Sequence, residues 1–316
     1  MRIFLLIFLS AFGLQAATYY VDFTGGSDAN NGTSTATPFK RCPGDANATG
    51  TAASTTLAAG DTVRFRGGVT YIGQIQISVS GATNNLISYV GNFDNGWGTG
   101  DSIIDGDATY YHAFETTAGE DFIRIDGLAM RNQKNNLKYT NAIVDRAGIT
   151  ITNTYTGSGL ITDLGVIRAY QGSRWWWIQN CRIYELENWS DRSVTNAEPD
   201  GVDATIEDVP CQQQLIYWYG SSANPNYGLT VSNCTFRGVG TAGLFIYRAS
   251  QSLIISNDFG DISQTASNRG WFSVAGRVTD YCTNTFIIGN KTHNGWQYEG
   301  DDAFQRSHAG DWWHIY

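Results

Sequence analysis

The chain has 316 residues and a net charge of −9; 16% of its residues are charged, 13% are aromatic and 36 are glycine. This composition excludes a coiled coil and a disordered chain, and it favours a β-rich globular protein with many turns. The negative charge argues against nucleic acid as a partner, because no excess of positive side chains would neutralise the phosphates.

Residues 1–17, MRIFLLIFLSAFGLQAA, predict a secretory signal peptide. Arg2 supplies the positive charge, an apolar stretch follows it, and small residues precede the expected cleavage point. The apolar stretch is too short to cross a bilayer, and no later segment is apolar enough to do so. We therefore expect an exported protein without a membrane span, either secreted or held in a periplasm or at the cell surface.

The chain contains five cysteines, an odd number, at positions that do not form a spaced disulfide framework. We expect most of them to be small buried apolar residues. They are Cys42, Cys181, Cys211, Cys234 and Cys282.

Five short stretches of the chain share one pattern, with apolar residues two and four positions before an asparagine. The stretches are ITITN, WWIQN, LTVSN, LIISN and FIIGN, which end at Asn153, Asn180, Asn233, Asn257 and Asn290. Such alternation predicts strands with one buried face. Counted from the related stretch that ends at Gly127, the intervals are 26, 27, 53, 24 and 33 residues. A period in the twenties predicts a solenoid, with each asparagine at a tight corner and its amide stacked in a ladder.

A second strand in each repeat begins at a glycine, in GVDATIED, GLFIYRAS, GWFSVAG and GDDAFQRS. This frame predicts that Leu244 and Ile246 point inward and that Phe245 and Tyr247 point outward. A β-sandwich or a propeller would also contain short alternating strands. Neither would predict a shared asparagine corner, so the solenoid is the favoured architecture.

These patterns resemble the right-handed parallel β-helix of the pectin-lyase-like superfamily. The segment YYVDFTGGSDANNGTSTATPFK resembles the lead-in of exported members, and GDTVRFRGGVTYIGQIQI resembles a first coil. The resemblance implies an all-β fold with an N-terminal capping segment at 18–56 and a parallel β-helix over 57–316. At one coil per roughly 27 residues we expect about nine or ten coils. The final GDWWHIY ends within an expected strand, so we expect further coils beyond Tyr316.

The glycine-started frame places two carboxylates and two aromatic residues at one outward position, namely Asp203, Phe245, Phe272 and Asp302. Aromatic rings and carboxylates together are typical of carbohydrate sites. The alternative is that the acidic residues are ordinary solvated surface.

The segment EGDDAFQRSH adds Arg306 and His308 beside Asp302 as candidate catalytic residues. Calcium could bind to Asp301 and Asp302, and an ion pair between Arg306 and Asp302 is the competing interpretation. In the run Trp175–Trp177, alternation places Trp176 inside and both neighbours outside, where they could stack on sugars or lie under a loop.

PDGVD and GDD also resemble two polygalacturonase motifs, which would make Asp200, Asp301 and Asp302 the acid and bases of an inverting hydrolysis. Here about a hundred residues separate the motifs, whereas in that family they lie on neighbouring coils. The Gly-His-Gly and Arg-x-Lys elements are missing as well. The sequence therefore does not predict a polygalacturonase.

We predict a monomeric, exported β-helix protein that acts on polysaccharide, either as a lyase or as a glycoside hydrolase. Uronate-containing polysaccharides are among the substrates considered, and calcium is the one cofactor considered. The rival hypothesis is a non-catalytic surface protein, either an adhesin that binds glycans or a structural stalk.

Overall fold

The computed structural model describes residues 16–107, 109–133, 143–144, 150–151, 164–184, 213–239, 242–262, 274–279, 282–293, 304–306 and 313–315. Within them the regular secondary structure is almost entirely strand, and the one α-helix described is α1 (Gly50–Ser54).

The first thirteen strands are β1 (Thr18–Val21), β2 (Thr62–Phe65), β3 (Thr70–Ile72), β4 (Ile75–Ile77), β5 (Ile87–Val90), β6 (Ser102–Asp105), β7 (Phe114–Thr116), β8 (Asp121–Asp126), β9 (Leu128–Arg131), β10 (Ile143–Val144), β11 (Thr150–Ile151), β12 (Leu164–Ala169) and β13 (Arg174–Gln179). The other thirteen are β14 (Arg182–Tyr184), β15 (Gln213–Tyr219), β16 (Asn226–Ser232), β17 (Thr235–Val239), β18 (Ala242–Tyr247), β19 (Ala249–Ser250), β20 (Leu253–Ile255), β21 (Asp258–Ile262), β22 (Val274–Thr279), β23 (Thr285–Ile288), β24 (Lys291–His293), β25 (Phe304–Arg306) and β26 (Trp313–Ile315).

Nearly all of these strands belong to three parallel sheets. Sheet I runs in the order β1-β2-β5-β8-β13-β16-β20-β23-β26, with β19 beside β16. Sheet II runs β3-β6-β9-β14-β17-β21-β24, and sheet III runs β4-β7-β12-β15-β18-β22-β25. The chain passes repeatedly from sheet I to sheet II to sheet III, and each strand pairs with its counterpart one coil away. This is the topology of a parallel β-helix; the handedness and the number of coils stay predictions.

The core lies between the three sheets and consists of inward residues stacked in register. On sheet I, Trp176 pairs with Ile123 and Leu229, and all three are fully buried. Trp176 also meets Trp218 of sheet III edge to face, with ring centroids 5.7 Å apart. The prediction that Trp176 points inward is therefore confirmed, and large apolar side chains join the sheets.

Two of the predicted strand frames are wrong by one residue. In register, Val231 pairs with Ile254 and not with Ile255, and Ile254 pairs with Ile287. Ile254 and Ile287 are accordingly buried, whereas Phe286 is 39% exposed. A shift of one residue moves every side chain of a strand to the opposite face, so the residues predicted inside in these two coils lie outside.

The shift arises at the corner between sheets I and II. In two coils the left-handed corner residue is the asparagine itself, with φ of 55° at Asn180 and 51° at Asn233. In the next two coils Ser256 and Gly289 adopt that conformation instead, with φ of 57° and 60°. Serine or glycine at the corner moves the following asparagine one position further along the chain.

The displaced asparagines donate and accept hydrogen bonds with the backbone of the preceding coil. Asn257 is buried; its Oδ1 accepts a hydrogen bond from the amide of Cys234, and its Nδ2 donates to the carbonyl of Val231. The described corner amides form two separate pairs, Asn180 with Asn233 and Asn257 with Asn290. The prediction of one shared corner position is wrong for the second pair, and a continuous ladder stays a prediction.

Three further expectations concern the ends and the thiols. β1 pairs in parallel with β2, so the segment after residue 17 begins as a strand of sheet I; the capping role of 18–56 stays a prediction. The four described cysteines are buried, as predicted, and are in no disulfide with one another; Cys211 lies outside the described residues. No helix within the described ranges is long and apolar enough to cross a membrane.

Candidate functional site

Most of the predicted catalytic and metal-binding residues, Asp203, Asp301, Asp302 and His308, lie outside the described residues. Phe272, which was predicted to bind substrate, lies outside them as well. Arg306 lies in β25, where its backbone pairs with Val278, and Val278 pairs with Ile246. Arg306 therefore occupies the register position of an inward row, not that of Phe245.

The predicted outward row through Phe245, Phe272 and Asp302 is wrong. Phe245 pairs with Arg277 in the next coil, and Arg277 pairs with Gln305 in the one after it. The prediction assumed a fixed distance from a glycine to each strand. β22 begins at Val274, four positions after the glycine on which it was aligned, so that glycine does not mark the start of the strand.

The outward frame of β18 itself is confirmed. Leu244 and Ile246 are fully buried, whereas Phe245 and Tyr247 lie half-buried on the outward face of sheet III. Five rings gather on this face, and we call them the aromatic tract: Tyr170, Tyr217, Tyr219, Phe245 and Tyr247.

The rings of the aromatic tract are nearly parallel. Tyr219 and Tyr247 have centroids 4.7 Å apart at 5°, and Tyr217 and Phe245 have centroids 5.4 Å apart at 13°. Tyr170 extends the row beneath Tyr219 at 6.3 Å. Aromatic pairs of this kind contribute about 0.5–1.5 kcal/mol beyond their buried area. Because the faces of these rings lie against one another, the tract offers ring edges and tyrosine hydroxyls to a ligand.

A repeated sequence pattern builds this tract. The segments VIRAY, LIYWY and LFIY each end in a tyrosine after an inward residue, at Tyr170, Tyr219 and Tyr247. The alternation of a strand then places the residue two positions earlier on the same face. Comparison of these three endings could have revealed Tyr170, Tyr217 and Tyr219, which the glycine-based alignment missed.

The outward row of Tyr217 continues into a charged cluster in the two preceding coils. Tyr217 pairs with Arg168, and Arg168 pairs with Glu115 of β7. An Arg168 Nη1 lies 2.6 Å from Glu115 Oε1, and the Gln74 amide donates to Glu115 Oε2 at 2.8 Å. The Arg168 guanidinium also lies 5.0 Å from the ring centroid of Tyr170. The cluster therefore adjoins the aromatic tract directly.

His112 completes this cluster, and sequence reasoning missed it together with Glu115 and Arg168. Its Nδ1 lies 2.6 Å from the carbonyl oxygen of Gly165, and its Nε2 lies 3.8 Å from Glu115 Oε1. A carbonyl can only accept a hydrogen bond, so Nδ1 carries a proton, and in the neutral imidazole Nε2 then has the lone pair.

The electrostatics of the cluster favour a neutral imidazole. Burial lowers the pKa of His112, with a further lowering from Arg168, while the Gly165 contact and Glu115 act in the opposite direction. A neutral imidazole with a free lone pair can accept a proton, and the paired arginine can hold an anionic oxygen. The cluster thus contains a candidate base and a candidate anion-binding group.

The two outward tryptophans lie on a different sheet. Trp175 is 36% exposed at the start of β13, and Trp177 pairs with Arg124 and Thr230 on the outward face of sheet I. Trp175 packs on Gly228, where an added Cβ would come within 2.3 Å of its ring. The structure therefore does not bring the tryptophans into one face with Phe245 and Tyr247.

A cleft of about 440 Å³ lies at the corner between sheets III and I, next to the aromatic tract. Its lining includes Ser221, Ser222, Tyr227, Arg248, Ser250 and Thr283. The Arg248 guanidinium lies 5.3 Å from the centroid of Tyr247, which links the cleft to the tract.

Within the described ranges no three His, Cys, Asp or Glu side chains are grouped so that they could hold a metal ion. The calcium ligands considered from the sequence, Asp301 and Asp302, lie outside those ranges. A calcium site there stays a prediction.

No protein-family model and no curated protein match the chain. Among solved structures it is similar to a family 136 glycoside hydrolase, the lacto-N-biosidase from Eubacterium ramulus, at 12% identity and a TM-score of 0.46. It is also similar to a rhamnogalacturonan lyase, at 12% identity and 0.43, and to XylC in complex with xylose, at 11% identity and 0.42.

These alignments cover 88%, 95% and 86% of this chain but only 56%, 67% and 61% of the respective structures. The chain thus spans little more than half of the lacto-N-biosidase. With TM-scores below 0.5, the similarities carry no conclusion about substrate or reaction. The fold assignment rests on the parallel order of the three sheets.

Proposed function

We propose that the protein acts on a polysaccharide that binds along the outward face of sheet III. The observation that carries this proposal is the arrangement of His112, Glu115 and Arg168 at one end of the aromatic tract. Successive coils present one row of side chains about every 4.8 Å. A chain of sugars that runs along the rows would meet the charged cluster first and the tyrosine hydroxyls next.

The reaction class that these groups fit best is β-elimination at a uronate. Such a lyase needs a base to remove the proton beside the carboxylate and a cation to stabilise the carboxylate while negative charge develops. The Nε2 of His112 is suited to the first role and Arg168 to the second. A tyrosine of the tract would donate a proton to the departing glycosidic oxygen as the bond to it breaks.

Hydrolysis is the less favoured reaction on this face. Glycoside hydrolases most often use two carboxyl groups about 5–9.5 Å apart. In the described strands of sheet III, Glu115 is the one carboxylate, and both of its oxygens already accept hydrogen bonds, from Arg168 and Gln74.

A non-catalytic, glycan-binding protein is the second candidate, and the stacked rings favour it. Tyr217 is only 4% exposed. Stacked rings stabilise the β-helix whether or not a ligand binds. In either case we propose that the protein is exported, since the first 17 residues have the pattern of a signal peptide.

An assay of uronate-containing and neutral polysaccharides, with and without calcium, tests the proposal. A lyase gives new ultraviolet absorbance from the unsaturated uronate, whereas a hydrolase gives reducing ends without that absorbance. His112→Gln keeps a donor for the Gly165 carbonyl but lacks the base, so we expect its rate to fall at least about 100-fold. Arg168→Gln should give a comparable loss.

Arg124→Gln is the matched control, because Arg124 lies on the outward face of sheet I and also pairs with a carboxylate, that of Asp126. We expect it to keep the wild-type rate. Binding without any product would favour the glycan-binding role. If no glycan is bound or altered, the proposal is wrong.

A further inference from the structure

A second left-handed corner lies where the coils enter sheet I. In five successive coils one residue at this corner has a positive φ, between 52° and 69°. The strand register places the five residues at equivalent positions, one above the other. We call them the corner row: Phe122, Trp175, Gly228, Gln251 and Asn284.

The geometry of the corner does not by itself explain Trp175. Glycine and asparagine adopt the left-handed conformation with little strain, as Gly228 and Asn284 do here, whereas a bulky aromatic residue adopts it rarely. Strained residues of this kind cluster at functional sites. The conformation of Trp175 therefore indicates a role for its side chain beyond the turn.

The indole of Trp175 is held with one face toward solvent. An added Cβ at Gly228 would lie 2.3, 2.7 and 2.9 Å from three adjacent indole atoms, Cε3, Cζ3 and Cδ2. Three distances so similar mean that the ring covers the glycine with its face and not with its edge. Trp175 is 36% exposed, so the opposite face of the ring reaches solvent.

Polar groups continue from this ring along the corner. In the coils that follow Gly228, the corner row presents the exposed amide side chains of Gln251 and Asn284. Three coil spacings separate Trp175 from Asn284, about 14 Å, which is long enough for a short oligosaccharide. The residues that directly precede the corner row in the same coils line the cleft of about 440 Å³, and they are Tyr227, Ser250 and Thr283.

We infer that this corner is a second glycan-binding site, at which the indole of Trp175 stacks on the apolar face of a neutral pyranose. A pyranose has C–H groups on its faces and hydroxyls at its rim. The C–H groups pack on the indole, and the hydroxyls exchange hydrogen bonds with the amides of the corner row and the hydroxyls of the cleft. Because the backbone and Gly228 already hold the ring, little side-chain freedom is lost on binding.

The site is separate from the proposed reaction. His112 lies in the turn between sheets II and III, whereas the corner row lies where the chain enters sheet I. The inference rests on the proposed function only for the class of ligand, a glycan, and the two sites share no residue. Its role is to hold the protein on the glycan while the charged cluster acts elsewhere on it.

Calorimetric titration of the full chain with neutral oligosaccharides tests the site without any need for catalysis. The probes are cellopentaose, xylopentaose and mannopentaose, which lack the uronate that the proposed reaction requires. We expect at least one of them to bind, and we expect Trp175→Ala to weaken that binding about fivefold to tenfold. Gly228→Ala keeps the indole but adds a methyl group where the ring lies, so it should weaken binding as well.

Phe93→Ala is the matched control. Phe93 is 53% exposed and its ring also covers a glycine, since an added Cβ at Gly127 would come within 2.3 Å of it, but it lies at the corner between sheets I and II. Its removal should leave the affinity unchanged, and thermal unfolding checks that each variant folds. The inference is overturned if none of the three oligosaccharides binds, or if Trp175→Ala binds as tightly as Phe93→Ala.

Either of these results leaves the proposed function standing, provided that the wild type still cleaves a uronate-containing polysaccharide. Loss of cleavage in His112→Gln with unchanged affinity for the neutral oligosaccharide would support two separate sites.

Discussion

The outward faces of sheets I and III belong to the same coils but differ in what they carry. On sheet III, parallel rings follow a paired arginine and glutamate, and a cleft borders the row. On sheet I, the later coils present partly exposed apolar side chains, at Leu253, Ile255, Phe286 and Ile288. One face therefore combines reactive groups with ordered rings, and the other combines apolar residues with no acid or base in the same two strands.

This difference shows that outward apolar residues alone do not define a site in a solenoid. The register sets which residues face outward on both sheets, and it does so without regard to chemistry. On sheet III an imidazole, an arginine–glutamate pair and stacked rings meet across successive coils. The predictions below test first the register on sheet I and then the role of sheet III.

The largest expected effect concerns the register of sheet I. Ile254 is fully buried and Ile255 is not, so Ile254→Ala should lower the free energy of unfolding by about 2–5 kcal/mol. Ile255→Ala should lower it by less than about 1 kcal/mol. Chemical denaturation of both variants measures this difference. Equal costs, or a larger cost at Ile255, would mean that Ile255 faces the core, as the asparagine alignment predicts. The outward apolar residues assigned to sheet I would then be wrong.

The next effect separates the two kinds of corner asparagine. Asn257→Ala leaves the amide of Cys234 and the carbonyl of Val231 without their buried partner, so we expect a loss of about 1–3 kcal/mol. Asn233 is exposed and left-handed, and Asn233→Gly keeps that conformation while it removes only the contact to Asn180. Its cost should stay within about 1 kcal/mol. A cost at Asn233 equal to that at Asn257 would contradict the inward role assigned to Asn257.

Much of the architecture could be predicted from the sequence, because each inward position requires an apolar side chain in every coil. The alternation correctly placed Trp176, Leu244 and Ile246 inside. It failed where serine or glycine replaced asparagine at the corner, at Ser256 and Gly289, since several residue types tolerate a left-handed conformation. An alignment on one residue type cannot detect that exchange.

The candidate site was much less predictable, because outward residues are not constrained to repeat. Phe245 and Tyr247 were identified from their strand frame. His112 lies in a turn before β7, where no periodic pattern marks it. Its contacts with Glu115 and Arg168 join residues that are up to 56 positions apart along the chain. Such contacts follow from the stacking of coils, and they can be predicted only when the register of the strands is known.

A smaller effect tests whether the aromatic tract binds glycan. Tyr219 lies in the middle of the tract, so Tyr219→Ala removes a hydroxyl and uncovers the three rings that it stacks against. We expect the affinity for a bound polysaccharide to fall about threefold to tenfold, measured by affinity electrophoresis. Trp177→Ala on sheet I is the control with a similar loss of aromatic surface, and its affinity should not change. If Trp177→Ala weakens binding more than Tyr219→Ala does, the glycan lies on sheet I instead.

The smallest effect is a pH dependence of stability that belongs to sheet III. Burial lowers the pKa of His112 in the folded protein below its ordinary value of 6.5. The unfolded chain therefore takes up a proton at a higher pH than the folded one, and stability is lost as the pH falls from above 6.5 through the folded pKa. Denaturation of the wild type and of His112→Gln between pH 7.5 and 5 measures this contribution as the difference between their two slopes. We expect the variant to lose less stability on acidification, because its side chain at position 112 does not titrate. Parallel slopes would mean that His112 is protonated as readily in the folded chain as in the unfolded one, which would contradict the lowering of its pKa by burial.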